Sequence, residues 1–238
     1  MTTPNESPAA PLLTSVLDQL GGEIVAGTLS EGRTFTLQDI SARFGISRTV
    51  AREAMRALEQ LGLVASSRRV GITVLPETSW AVFDQSVIRW RLAAEEQRPR
   101  QLRSLTELRV AIEPIAAYNA ATFATKEQKA KIAQLADELI ELGSSSRGAT
   151  DEFLEADMQF HTMIFLASGN EMIMDLAPSL MYALEGRTRY GLQPDEPAQE
   201  ALASHKAVAQ AIVDGDAQAA ENAARDILSE VRTALYEN

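Results

Sequence analysis

Residues 46–74 read ISRTVAREAMRALEQLGLVASSRRVGITV. Ser47 is a residue type that caps helix N-termini, and after it Val50, Ala51, Ala54, Met55, Leu58 and Leu61 recur at three- and four-residue intervals. They share one face of a helix that closes at Gly62. Arg48, Arg52 and Arg56 are spaced four apart and occupy the opposite face. Beyond Gly62 the period changes. Leu63-Val64 and Val70–Leu75 are two short β-branched runs around the polar SSRR, which predicts a β-hairpin with Arg68 and Arg69 at its tip.

Upstream, Thr36 followed three residues on by Asp39 is a capping pattern, and Leu37, Ile40 and Phe44 form the apolar side of a short helix stopped by Gly45. Earlier still, Leu13, Val16, Leu17, Leu20, Ile24 and Val25 lie on one stripe of a helix of about four turns ending near Gly27. Residues 1–11, with three prolines and almost no large apolar side chain, predict a disordered tail. Residues 12–75 therefore predict a winged helix-turn-helix of three helices plus a hairpin wing. A linker over 76–82 begins at Pro76. Residues 83–238 predict an all-α antiparallel bundle of about seven helices, with segments near 79–96, 101–123, 126–142, 150–167, 171–191 (bent at Pro178), 198–214 and 216–236. The chain is mainly α.

Composition excludes several classes. The absence of cysteine rules out disulfides, thiolate metal sites and cysteine nucleophiles. No run of 18 apolar residues occurs and the N-terminus has no basic, apolar leader, so neither a membrane span nor a secretory signal is expected and a cytoplasmic location is. The net charge of −11 is unevenly spread. Residues 1–75 hold seven Arg against seven acids, whereas residues 76–238 hold 15 basic against 26 acidic side chains. Between Arg43 and Arg69 six Arg face only Glu53 and Glu59, a local cationic segment suited to a polyanion.

Arginine pairs two acceptors of guanine or clasps a phosphate, and a helix fits the major groove, so the Arg48–Arg52–Arg56 face predicts a DNA-reading element. Ser47 and Thr49 add short donors at the helix start. The same stretch resembles the winged helix-turn-helix signature of the GntR family of bacterial transcription regulators over about 60 residues. That resemblance implies contacts to operator phosphates and bases from Ser47, Arg48, Thr49 and Arg52, and a minor-groove approach at Gly71. Arg56, Arg68 and Arg69 extend the set. Where the family commonly has a base-reading Arg in the preceding helix, this chain has Gln38.

The remainder resembles the FCD ligand-binding domain of the FadR-type subgroup, through LTELRVAIEPIAAYNAATFAT, DMQFHTMIFLASGN and SHKAVAQAIVDGDAQAAENAARD. Asp157 and His161, four apart, share a helix face at a spacing that lets a carboxylate and an imidazole converge on one ion, and His205 is the one other histidine. Read from the residues alone, such a pair is more often a structural contact than a ligand pair. The resemblance implies a divalent metal such as zinc on Asp157, His161 and His205, with the fourth family ligand position falling on Ile227. Arg109, within ELRVAIE, is a candidate to hold an anionic effector or to pair with Glu113, and Arg187 and Arg189 are further candidates. DQSVIRWRL resembles regulators that answer to sugar acids such as gluconate or galactonate, and Trp90 is equally explained as core.

These readings converge on a homodimeric, ligand-responsive repressor of a palindromic operator with a small carboxylate effector, and not an enzyme. Two alternatives stand beside it: a regulator for which the metal is itself the signal, and a metal-dependent hydrolase using Asp157, His161 and His205. HExxH, GxSxG and phosphate-cradling motifs are absent from the sequence, which weighs against the hydrolase.

Overall fold

The computed structural model describes residues 9–236, with side chains over 12–229. Most of the 1–11 tail lies outside the described residues, although the first helix starts at Ala9. The chain forms two compact units, residues 1–101 and 102–238.

The first unit begins with α1 (Ala9–Val25), a short strand β1 (Thr34–Phe35), α2 (Leu37–Phe44) and α3 (Arg48–Gln60). Thr36 caps α2 in a reciprocal box with Asp39, and Gly45 ends it in the left-handed region at φ 63°, which permits the tight turn into α3. Ser47 caps α3 by accepting from the Val50 N–H. Strands β2 (Val64–Ser67) and β3 (Gly71–Val74) form the expected hairpin, in register from Val64 opposite Val74 to Ser67 opposite Gly71. Strand β1 adds to the other side of β3, giving the order β1-β3-β2. Two residues are too short a run to show period-two alternation, so β1 left no trace in the sequence pattern.

Val16, Leu20 and Ile24 from α1 pack with Ala51, Met55 and Leu58 from α3 and with Val64, Ile72 and Val74 from the sheet. The region from Ser79 departs from the predicted continuous helix. Glu77–Ser79 is a single 3-10 turn and α4 (Gln85–Ala93) starts only where Asp84 caps it through the Ser86 N–H at 2.8 Å. Helix α4 packs on α1: Trp90 is buried in the same core, its Nε1 donates to Asp18 at 2.9 Å, and Arg89 pairs with Asp18 as well. The division into units thus falls after α4, later than the 76–82 linker read from the sequence.

The second unit is all helical. It comprises most of α5 (Arg98–Phe123), then α6 (Lys126–Ser144), α7 (Asp151–Ala167), α8 (Glu171–Arg189), α9 (Gln199–Asp214) and α10 (Ala217–Tyr236). The helical spans match the periodic segments closely. Pro99 sits in the first turn of α5, where a missing N–H costs nothing, so the helix starts ahead of the expected break. Helix α8 continues through Pro178. Ala117, Leu139, Phe160, Phe165, Leu180 and Ile212 lie at the centre of the core.

The α1–α4 contact yields a test. A Cβ on Gly21 would overlap the Trp90 indole, whereas one on neighbouring Gly22 meets nothing within 4 Å. Gly21→Ala should therefore lower stability by about 1–3 kcal/mol through overpacking, although it improves helix propensity. Gly22→Ala should raise it by about 0.5–1 kcal/mol on propensity alone. Thermal melts of the two variants should move in opposite directions.

Candidate nucleic-acid interface and candidate metal centre

The capped start of α3 sets the rotation of its outer face. Ala51, Ala54, Met55 and Leu58 turn inward, so Arg48, Arg52 and Arg56 are exposed, and none of the three has a partner among the described residues. Between α3 and the sheet lies a cleft of ≈ 620 Å³ lined by Gln38, Arg48, Arg52, Arg56 and Gly71, together with Thr36, Ser66, Ser67 and Glu59. Ser47 and Thr49 stand exposed at the start of α3, and Arg68 and Arg69 are exposed at the wing tip, outside the cleft lining. Gly71 has φ 95°, and a Cβ there would come within 2.8 Å of the Phe35 carbonyl. Arg43, counted in the cationic segment, instead forms a two-pronged ion pair with Glu23 and covers Phe44. Thr36, Ser66 and Ser67 were legible only as a cap and a polar turn; the pairing of β3 with β1 on one side and β2 on the other brings these residues to the cleft beside the arginine face.

In the second unit α5, α7 and α9 bring five ionisable side chains into the core. Arg109, Glu113, Asp157, His161 and His205 are all buried. Arg109 forms its salt bridge with Glu113, one turn later on α5. The other Glu113 oxygen, Oε2, accepts from His161 Nδ1 at 2.8 Å. That contact leaves His161 Nε2 directed at Asp157 Oδ1, 3.3 Å away. His205 is oriented similarly: its Nδ1 donates to the Ala201 carbonyl at 2.7 Å, and Nε2 lies 3.4 Å from the same Asp157 oxygen. Phe160 packs against both imidazoles, at 5.4 and 5.3 Å between ring centres.

The electrostatics follow from this chain of alternating sign. Burial alone would raise the Glu113 carboxyl, but Arg109 and then His161 outweigh it and hold it at about 2. Burial pulls the His161 ring down, and the Glu113 carboxylate, helped by Asp157, reverses this to about 9 against opposition from Arg109. Burial raises Asp157 too, yet the two imidazoles set it well below the usual carboxylate range.

The residues fit a divalent cation. Asp157, His161 and His205 offer one ligand atom each within 4.8 Å of one another. Asp157 Oδ1 and His205 Nε2 are buried with no hydrogen-bond partner, and a buried polar atom left in this way costs free energy that a cation would recover. Both histidines are held through Nδ1 by an acceptor behind them, the arrangement that orients metal-binding imidazoles. Ile227 is an aliphatic wall beside the cluster, not a ligand.

Next to the cluster is a cavity of ≈ 250 Å³ lined by Arg109, Arg187, Leu184, Gln193, Pro197 and Ile227 among others. The three candidate arginines part company here. Arg109 reaches the cavity but is engaged by Glu113. Arg187 lines it with no partner among the described residues; burial lowers its pKa, as does Arg109, while Asp157 opposes both. Arg189 pairs with Glu185 at the surface and does not line the cavity. Among the described residues no helix is long and apolar enough to cross a membrane.

Comparison with known proteins matches residues 12–74 to the gntR family of bacterial regulatory proteins and residues 104–230 to the FCD domain. The chain is 31% identical over 209 residues to the uncharacterized HTH-type transcriptional regulator YieP of Escherichia coli K12, covering 88% of this chain and 86% of that one. It is 30% identical over 222 residues to the galactonate operon transcriptional repressor of the same strain, covering 92% and 94%. Among solved structures, the Listeria monocytogenes regulator Lar has the same fold, with a TM-score of 0.60 at 15% identity over 99% of each chain. An arginine-faced α3 beside a wing, followed by an FCD domain, makes this chain a transcriptional regulator of the gntR family, in its FadR-type FCD subgroup, and not an enzyme.

Proposed function

We propose that the chain represses transcription from a palindromic operator as a homodimer and is controlled by a small carboxylate, a sugar acid such as gluconate or galactonate. Residues 12–75 read DNA and the helical unit within 83–238 receives the effector. Arg48, Arg52 and Arg56 enter the major groove, where two-pronged Arg–guanine pairs give sequence discrimination. Ser47, Thr49 and Gln38 position the helix, and Arg68, Arg69 and Gly71 bring the wing to the minor groove. Two half-sites about one helical turn apart require two copies of α3. The exposed apolar side chains Ile115, Tyr118 and Phe123 on α5 support a contact with a second copy. Repression in the bacterial cytoplasm follows from the operator's location there.

The observation that carries the effector half is Arg187, a half-buried guanidinium with no partner among the described residues, lining the cavity beside Asp157 and His205. A partly desolvated cation without a partner is unfavourable, and a ligand carboxylate supplies the missing charge. Asp157, His161 and His205 hold a divalent metal such as zinc, which when bound adds a fixed positive charge for an anion. Ile227 leaves that side open. The sugar-acid class is further supported by the galactonate operon repressor and the Uxu operon transcriptional regulator of E. coli among the relatives. Effector binding then shifts the population between arrangements that do and do not match the half-site spacing.

Three results test this. Arg52→Ala should weaken binding to a duplex selected by the protein from a random pool by about 10–100-fold per half-site, read by fluorescence anisotropy, while effector binding persists. In thermal melts a sugar acid at about 100 times its Kd should stabilise the parent by about 2.7 kcal/mol. Arg187→Ala should lose that shift and Arg189→Ala keep it; a shift that survives in Arg187→Ala removes the carboxylate from this cavity. Purified protein should carry about one equivalent of metal per chain, and Glu113→Gln should bind it roughly 10–100-fold more weakly through a loosened His161. If metal alone changes DNA affinity with no organic acid present, the metal is the signal.

A further inference from the structure

The cavity beside Asp157 and His205 is walled by helices except along one segment: among the described residues, Leu192, Gln193, Pro194, Pro197 and Ala198 from the α8–α9 connection form its only non-helical wall. Asp157 Oδ1 and His205 Nε2 behind it are sealed from solvent. Any ligand that reaches them needs a way in, and helices packed in one core do not part easily, whereas a connection held by few bonds opens at low cost.

The attachments of this segment are few and concentrated. At its start the Leu192 N–H donates to the Arg187 carbonyl at 2.8 Å, tying it to the residue whose guanidinium faces the cavity. At its end it is held by the α6–α7 turn. The Gly148 N–H donates to the Asp195 carbonyl at 2.8 Å, and Ser146 Oγ donates to Glu196 Oε1 at 2.9 Å. The fit at Gly148 leaves no room for a side chain: a Cβ there would stand 2.5 Å from Pro197 Cγ and 2.8 Å from the Asp195 carbonyl oxygen. Ser146 adopts φ 55°, a conformation that favours glycine, so the turn is held in this shape by what it grips. Pro194 and Pro197 fix φ at both ends of the gripped stretch, which lets it move as a piece.

We propose that residues 191–198 form a strap that must lift to admit ligand to the cavity, and that Ser146 and Gly148 are the latch that holds it down. The inference rests on the cavity being the effector site. It adds the control of entry: the latch sets how often the cavity opens, and Arg187, joined to the strap through its own carbonyl, senses when it is filled.

The chain contains no cysteine, so a single introduced thiol reports on one place. Ile227→Cys puts a thiol on the buried wall of the cavity, where Ile227 is 6% exposed. In the full-length protein this thiol should react with a small aromatic disulfide reagent far more slowly than in the denatured chain. Adding Ser146→Ala should speed labelling roughly fivefold for one lost hydrogen bond. Adding Gly148→Ala should speed it on the order of tenfold or more, because the strap can no longer seat. Circular dichroism establishes that each variant is folded, and Ser146→Ala keeps the series readable should Gly148→Ala melt. Equal rates in all three backgrounds, a thiol that never reacts, or one that reacts as fast as in the denatured chain overturns the proposal. Labelling is carried out on protein stripped of metal by a chelator, because a thiol at position 227 would otherwise coordinate the ion and be shielded by it; it needs no effector, so failure of the sugar-acid reading would appear in the melts and leave this result standing.

Discussion

Arg109, Glu113, His161 and Asp157 alternate in charge through the interior of the helical unit, with Glu113 gripped by Arg109 and by His161 and with the His205 ring beside Asp157. Removing a charge from water costs several kcal/mol, which is recovered only when partners and hydrogen bonds are in place. This constrains the bundle more tightly than apolar packing does. Apolar side chains on α5 and α7 could slide by a fraction of an ångström and repack, but the Arg109 guanidinium, the Glu113 carboxylate and the His161 imidazole must meet at hydrogen-bonding distances. These charges therefore tie the register of α7 to that of α5. They also leave unsatisfied atoms at one end, on Asp157 and His205, and a cation facing them, Arg187, that is unpaired among the described residues.

The reading unit solves a different problem. Its arginines must remain unpaired, since a guanidinium engaged by a neighbouring carboxylate cannot also clasp a phosphate. The molecule achieves this by placing Arg43, a member of the cationic segment that turns away from the cleft, on Glu23 of α1, while Arg48, Arg52 and Arg56 project from a face whose back is tied into the core. Trp90 and Asp18 add α4 to that core, so the piece that presents the arginines runs through α4 to the first turn of the long helix α5. The acidity of the second unit leaves this face as the surface on which a polyanion is not repelled.

Much of this was legible in the residue pattern. Ser47, Thr36 and Gly45 do locally what cap and turn residues do anywhere, and the stripes on α1 and α3 are periodic enough to place each helix within a few residues. The four-residue spacing of Asp157 and His161 put them on one face of α7. Other features left no local signal. The pairing of β1 with β3 involves two residues of each strand, too few for a period to show. The late start of α4 depended on the Asp84 cap inside an otherwise helical composition. Arg109, Arg187 and Arg189 look alike in sequence, and their differing fates were set by Glu113, by the cavity and by Glu185.

The sequence by itself determined the class and order of the elements, the cationic face of α3, the absence of cysteine chemistry and the family, because these depend on spacing along one chain. Tertiary structure alone decided that His205 meets Asp157 and His161 across 44 to 48 residues, that α4 joins the winged unit, and that Gly148 grips the strap at Asp195 and Pro197. The reason is physical: hydrogen bonds, caps and periodic faces are local, whereas burial and charge pairing depend on which distant side chains share one low-dielectric interior.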